Sequence, residues 1–261
     1  EIANLINNAF LEPMQAYQPL QSSVPYDEEY VPPILSELDI CLALKKLNPR
    51  KAPGPDGLPN WLLKEFAEVL AEPVCTILNS TFREQKFPSA WKLANITPLI
   101  KAKPVTDVSK HLRPISLTPA LSKVAEDFIV ATYISPAILS IIDPDQFGAV
   151  PGSSTTHTLI SMIHNWAEAT DATGAAVRIM LLDYRKAFDL IDHNILAKKI
   201  CDLPIPLGIA RWVVDFLTNR KQRVKLANDC YSEWGHTLAG VPQGTKLGPW
   251  LFLLMINDLK F

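Results

Sequence analysis

The stretch that most constrains this chain is GAAVRIMLLDYRKAFDLIDH, residues 174–193. Val177, Ile179, Met180, Leu181 and Leu182 form a short apolar run, which reads as a strand buried on both faces, with Arg178 needing an exit to solvent or a partner. The run stops abruptly at Asp183. A carboxylate at the end of a buried strand sits at the lip of a sheet, partly solvated and able to hold a metal ion. Arg185, Lys186, Ala187 and Phe188 follow at once, giving it cations and an aromatic ring as neighbours. The alternative is that Asp183 only ends the strand and opens a turn. On this segment alone the alternative is the favoured reading.

Composition narrows the field without naming a function. A chain of 261 residues, 48% hydrophobic, has enough apolar surface for one large or two small cores. Lys and Arg total 25 against 27 Asp and Glu, so any case for nucleic-acid binding rests on local patches. Cys41, Cys75, Cys201 and Cys230 lack the short spacings of a zinc site or a disulfide framework and read as reduced thiols. His157 and His164 can share a helix face, but nothing nearby completes a metal site. The N-terminal EIANLINNAF is neither a signal nor a transit peptide, and the longest apolar run, Trp250 to Ile256, is core-sized rather than membrane-sized. The expectation is an intracellular protein, nuclear or cytoplasmic, not secreted and with no membrane partner. An initial Glu and a final LFLLMINDLKF without cap or turn suggest a fragment.

Along the chain, residues 1–35 are Pro- and Gln-rich and read as a linker or upstream region. Ser36 and Asp39 form a capping-box-like start to a helix reaching Leu47. NPRKAPGPDGLPN makes a rigid turn from which Arg50 and Lys51 project. Two helices follow, the second carrying Val74, Ile77, Leu78 and Phe82 at helical spacing with Pro73 near its start. Strand-like Asn95–Ile100 and Ile115–Leu117 bracket Lys101, Lys103, Lys110 and Arg113, a β-hairpin whose basic tip suits phosphate, or else a solvated charged loop. Leu121–Ile142 is apolar and helical with an interruption at Pro136, and Ser154 caps a helix through Leu159, Met162, Ile163 and Trp166. Asp192 caps HNILAKKI, and Ile209, Trp212, Val213, Phe216 and Leu217 mark an amphipathic helix. Two strands, about 222–226 and 232–238, flank an Asn-Asp turn beside a second basic patch of Arg220, Lys221, Arg223 and Lys225. GVPQGTKLG, residues 240–248, is not a Walker loop, which needs Gly-Lys followed by Ser or Thr. It offers a tight backbone curve with one amide side chain, Gln243, ahead of a buried helix.

The order of these pieces is more specific than any one of them. KAPGPDG, PLIK, LRPISLTP, LSK, QFG with SST, LLDYRKAFDLIDH, FLTNRKQRV and GVPQGTKLGPWLF run in sequence from residue 51 to 252. In that order they resemble the reverse transcriptase of a non-long-terminal-repeat, LINE-type retrotransposon. Leu112 departs from the aromatic usual before Arg-Pro-Ile-Ser, and Ala149-Val150-Pro151 replace a commonly basic segment. The resemblance implies an α/β (α+β) right-hand polymerase: a fingers-like subdomain at 36–173 and a partial palm at 174–261, with the reverse transcriptase domain spanning roughly 90–261. It implies an antiparallel palm sheet backed by helices.

It also implies partners and roles. Partners are an RNA template, a DNA primer and deoxynucleoside triphosphates; the cofactor is Mg²⁺, two ions in the complete enzyme. Asp183 matches the first catalytic carboxylate and metal ligand, with the Tyr184 main-chain carbonyl beside it. Lys101 and Arg113 match residues that grip the triphosphate. Phe188 matches the bulky group that excludes a 2′-hydroxyl, and Gln243 and Gly244 match the loop supporting nucleotide and template. Arg50, Lys51, Arg220, Lys221 and Arg223 are candidate nucleic-acid contacts, while Asp189 and Asp192 read as turn and cap residues. The family's aromatic-x-Asp-Asp hairpin is missing from the sequence, so this polypeptide alone is expected to be inactive. Two competing readings are a remnant that binds nucleic acid or a protein without chemistry, and a metal hydrolase built on Asp183, Asp189 and Asp192. The hydrolase lacks the histidine or further acids such sites require.

Overall fold

The structure is a computed structural model that describes residues 1–20, 24–171, 175–184 and 186–259. Arg185, one of the cations expected beside Asp183, lies outside the described residues.

A small mixed sheet sits among helices. Strand β1 (Leu93–Ile100) pairs antiparallel with β2 (Leu112–Leu117) and parallel with β3 (Lys221–Val224), which pairs antiparallel with the short β4 (Gly235–His236). The order is β2-β1-β3-β4. Both expected hairpins form. The long connection after β2 brings β3 in on the far side of β1, running opposite to β2 and therefore parallel to β1. β1 and β3, from either side of residue 173, thus share one sheet.

Two expectations fail here. The sheet is mixed rather than antiparallel, and the run 177–182 is not one of its strands. Met180 and Leu181 are 81% and 82% exposed, and Ile179 and Leu182 are exposed as well. Apolar composition gives a segment the capacity for a buried strand, but burial also needs an adjoining edge and covering layers. No described strand pairs with this one.

The stretch read as a linker begins with helix α1 (Ile2–Leu11). Its Ala3, Ile6 and Phe10 pack on Ala94, Ile96 and Val224 of the sheet. Asn7 receives a bond from Gln222 Nε2 at 3.2 Å, and Asn4 receives the Glu233 N–H at 2.8 Å. A ten-residue helix is marginal alone, and its stability comes from this docked face.

Helix α2 (Glu37–Lys45) has the expected capping box between Ser36 and Asp39. Helices α3 (Asn60–Glu65) and α4 (Ala67–Arg83) follow. α4 begins six residues before Pro73 and runs through it; Val69, whose carbonyl would have met the missing N–H, lies on the exposed face. After α5 (Val108–His111), which Asp107 caps, α6 (Ala120–Ile129) and α7 (Ser135–Ile141) are joined by a π-helical turn over Val130–Ile134. That wider turn falls just before Pro136. By length and composition Ala120–Ile141 is long and apolar enough to cross a membrane, which the sequence reading did not anticipate. Here Ala125, Ile129, Ile134 and Ile138 lie in the main core.

Helix α8 (Thr155–Thr170), capped by Ser154, contributes no buried residue. α9 (His193–Cys201), capped by Asp192, α10 (Leu207–Leu217) and α11 (Leu247–Ile256) close the core. On α10, Trp212 and Phe216 pack edge-on against Phe87 with centroids 5.0 and 5.2 Å away.

Candidate functional site

One cleft of about 1140 Å³ opens between the β1–β2 hairpin, the segment 183–190 and the bend at Gln243. Its basic side comes from the hairpin. Leu99 lies opposite Arg113, and the Lys101 N–H donates to the His111 carbonyl at 2.7 Å, so Lys101 and Arg113 emerge near the same end. Lys110 lines the cleft too. Asp107 holds that end in shape by accepting from the Ser109 and Lys110 N–H groups at 2.9 and 3.2 Å. Its carboxyl titrates far below the usual range, through the Ser109 bond first and Lys110 next.

The opposite wall is the turn that follows Asp183. Phe188 stacks on Phe252 of α11, centroids 4.4 Å apart, so its ring is braced from behind where it meets the cleft. The turn is tied to the bend by four bonds. The Gly240 N–H donates to the Ile191 carbonyl at 2.8 Å, and the Val241 N–H to Phe188 at 2.8 Å. His193 Nε2 meets the Gly240 carbonyl at 2.7 Å, and Gln243 Nε2 donates to Asp189 Oδ1 at 3.0 Å. Since a carbonyl can only accept, His193 carries its proton on Nε2, and burial lowers its pKa.

Glycine makes these approaches possible. A Cβ on Gly240, at φ +80°, would sit 2.5 Å from the Asp189 carbonyl oxygen. One on Gly244, at φ +114°, would sit 2.8 Å from the carbonyl oxygen of Ser116, whose own N–H donates to the Gln243 carbonyl at 2.8 Å. The bend is therefore clamped between β2, which carries Arg113, and the turn that carries Phe188 and Asp189.

Behind it, the fully buried Glu126 of α6 accepts from the Lys246 and Leu247 N–H groups at 2.7 and 3.3 Å and from Ser122 Oγ at 2.6 Å. Burial raises its pKa, opposed by these bonds and by Arg220. A carboxylate at the start of α11 satisfies donors the helix itself cannot.

Lys101, Arg113, Asp183, Tyr184, Phe188 and Gln243 line the same cleft. Gly244 lies behind it, against β2. The basic patch fares differently. Arg220 is a correction: it is buried, donating to the Phe216 carbonyl at 2.9 Å with its guanidinium 4.6 Å from that ring, so it is a core strut and not a nucleic-acid contact. Arg223 donates to Asn95 Oδ1 at 2.9 Å and lies between the Tyr231 and Trp234 rings. Arg50 and Lys51 are exposed, and Lys221 lines a smaller cavity beside the bend. Lys186, named in the sequence as a cation beside Asp183, and Asp189, read there chiefly as a turn residue, both line this cleft as well.

Mg²⁺ takes oxygen ligands, commonly one or two carboxylates completed by water and phosphate oxygens. Asp183, exposed at the cleft, suits one such ion. Among the described residues no group of three or more His, Cys, Asp or Glu forms a ready-made metal site.

Comparison with known proteins is consistent across the chain. The family described as reverse transcriptase (RNA-dependent DNA polymerase) matches residues 100–260. The chain is 33% identical over 244 residues to a probable RNA-directed DNA polymerase from transposon BS of Drosophila melanogaster, covering 92% of this chain and 26% of that protein. It is 32% identical over 243 residues to the RNA-directed DNA polymerase from mobile element jockey of Drosophila funebris, covering 92% and 25%. The chain thus spans about a quarter of the length of these relatives.

Proposed function

The chain belongs to the reverse transcriptase (RNA-dependent DNA polymerase) family, and from that premise we propose that the whole protein copies RNA into DNA for a LINE-type retrotransposon. The observation that carries this reading is the convergence of Lys101, Arg113, Asp183, Phe188 and Gln243 on one cleft. In this reading residues 36–173 act as fingers and 174–261 as part of the palm.

The hairpin cations take the triphosphate of an incoming deoxynucleotide, Arg113 by paired hydrogen bonds and Lys101 as a point charge. Phe188, braced by Phe252, forms the floor under the sugar and leaves no room for a 2′-hydroxyl. The Gln243–Gly244 bend supports nucleotide and template. Asp183, with the Tyr184 main-chain oxygen, would hold Mg²⁺. Paired ions of this kind stabilise the attacking and leaving oxygens of nucleotidyl transfer. Because Asp183 alone does not hold two ions in register, and the Asp189 carboxylate is engaged by Gln243, the 261-residue span alone is expected to be inactive. Arg50, Lys51 and Lys221 are offered as contacts to the nucleic-acid backbone.

The test is Mg²⁺-dependent primer extension on an RNA template by the full-length protein. Asp183→Ala should lower turnover by about 10²-fold or more, while Arg113→Ala should chiefly raise KM for the deoxynucleotide. Full activity in the Asp183→Ala protein would refute the assignment. Absence of activity in the unmutated protein would favour the non-catalytic remnant.

A further inference from the structure

Asp189 was read from sequence chiefly as a turn residue, yet among the described residues its side chain makes no hydrogen bond within the turn. The turn is made by its backbone, whose N–H donates to the Lys186 carbonyl at 2.9 Å. The carboxylate instead reaches a residue 54 positions away in the chain, accepting from Gln243 Nε2 at 3.0 Å. Asp189 lines the cleft on one side and the smaller cavity behind the bend on the other, so it stands in the wall between them. Burial raises its pKa, and the Gln243 bond and the positive charges of Lys186 and Arg113 oppose that rise. The main-chain approach at Gly240 presses on this same residue.

The chemistry of the pair is asymmetric. An ionised carboxylate only accepts, whereas the two ends of a glutamine amide differ. Facing Asp189, Gln243 must turn Nε2 toward it, which leaves Oε1 an acceptor uncommitted among the described residues. We propose that Asp189 is a positioning residue for the incoming nucleotide, holding the Gln243 amide in one orientation so that Oε1 is presented to a donor on the bound nucleotide. The inference rests on the reading of the cleft as a nucleotide site and adds a residue that acts through Gln243 without touching the ligand.

Asp189→Asn separates this from space-filling. Asparagine keeps the shape and can still bond to Gln243, but it can donate as well as accept, so it no longer dictates which way the amide faces. The measurement is the Kd of a fluorescent deoxynucleoside triphosphate with Mg²⁺ for the 261-residue chain. It is made for the unmutated protein, Asp189→Asn, Gln243→Ala and the double variant, with thermal midpoints in parallel. Asp189→Asn should weaken binding about tenfold, in line with losing one oriented hydrogen bond, with little change in midpoint. Gln243→Ala, which leaves Asp189 in place, should show the same loss, and the double variant should be no weaker than Gln243→Ala alone. Unchanged binding by Asp189→Asn, or the same loss in the Gln243→Ala background, overturns the inference alone. If the unmutated chain binds no nucleotide, or Arg113→Ala binds as well as it does, the reading of the cleft fails and the inference falls with it.

Discussion

The bend at 240–244 and the segment at 175–184 border the same cleft, yet they are held in opposite ways. The bend is fixed by bonds to Ile191, Phe188, His193, Asp189 and Ser116, and by two glycines pressed against carbonyl oxygens. The segment leading to Asp183 belongs to no described helix or strand and is exposed, with Met180 and Leu181 turned to solvent. Both stretches looked decisive in the sequence. The difference teaches that stereochemical signals act locally, whereas an apolar run specifies only a need for partners.

If the bend is the rigid half, Gly240→Ala should be the most damaging change. Forcing a Cβ at φ +80° against the Asp189 carbonyl should cost about 3 kcal/mol, read as a shift in urea unfolding at unchanged slope. A cost near zero would erase the contrast. Next in size is Glu126→Ala, which strands the first donors of α11. It should cost about 2 kcal/mol and speed amide exchange at Lys246 and Leu247.

A smaller effect is pH-dependent. The pKa of His193 is depressed below its ordinary 6.5 by burial, so on acidification the unfolded chain takes up its proton before the folded one does. Its contribution is present above pH 6.5 and is lost as pH falls from there through the lower folded value. The stability difference between the unmutated chain and His193→Gln should therefore shrink as pH falls from 7.5 to 5; a difference flat across that range would break the His193–Gly240 tie. Smallest of all should be Leu181→Ser, within about 0.5 kcal/mol because the side chain is already solvated. A loss near 3 kcal/mol would mean that the run is a buried strand after all.

Much of the fold was legible for reasons these positions make plain. Ser36 with Asp39, Ser154 and Asp192 cap helices because their side chains bond N–H groups within their own first turn. Ile209, Trp212, Val213, Phe216 and Leu217 share one face of α10 and all are fully buried. The β1–β2 hairpin and its basic end followed from two strand-like runs bracketing a charged loop. What stayed hidden depends on distant neighbours. α1 looked like part of a linker because its stability lies in Ala94, Ile96 and Val224. Arg220 looked like a surface cation because nothing in NRKQR reveals the core beneath it. Asp189 passed for a turn residue because its partner is 54 residues away.

The most direct test of the central claim, that hairpin cations, Asp183 and the bend form one nucleotide site, is a crystal structure of the chain with Mg²⁺ and a deoxynucleoside triphosphate. The account predicts phosphates against Lys101 and Arg113, with the sugar over Phe188. A nucleotide seated instead on the Arg50–Lys51 turn or on the face of β3, leaving Arg113 without contact, would contradict it.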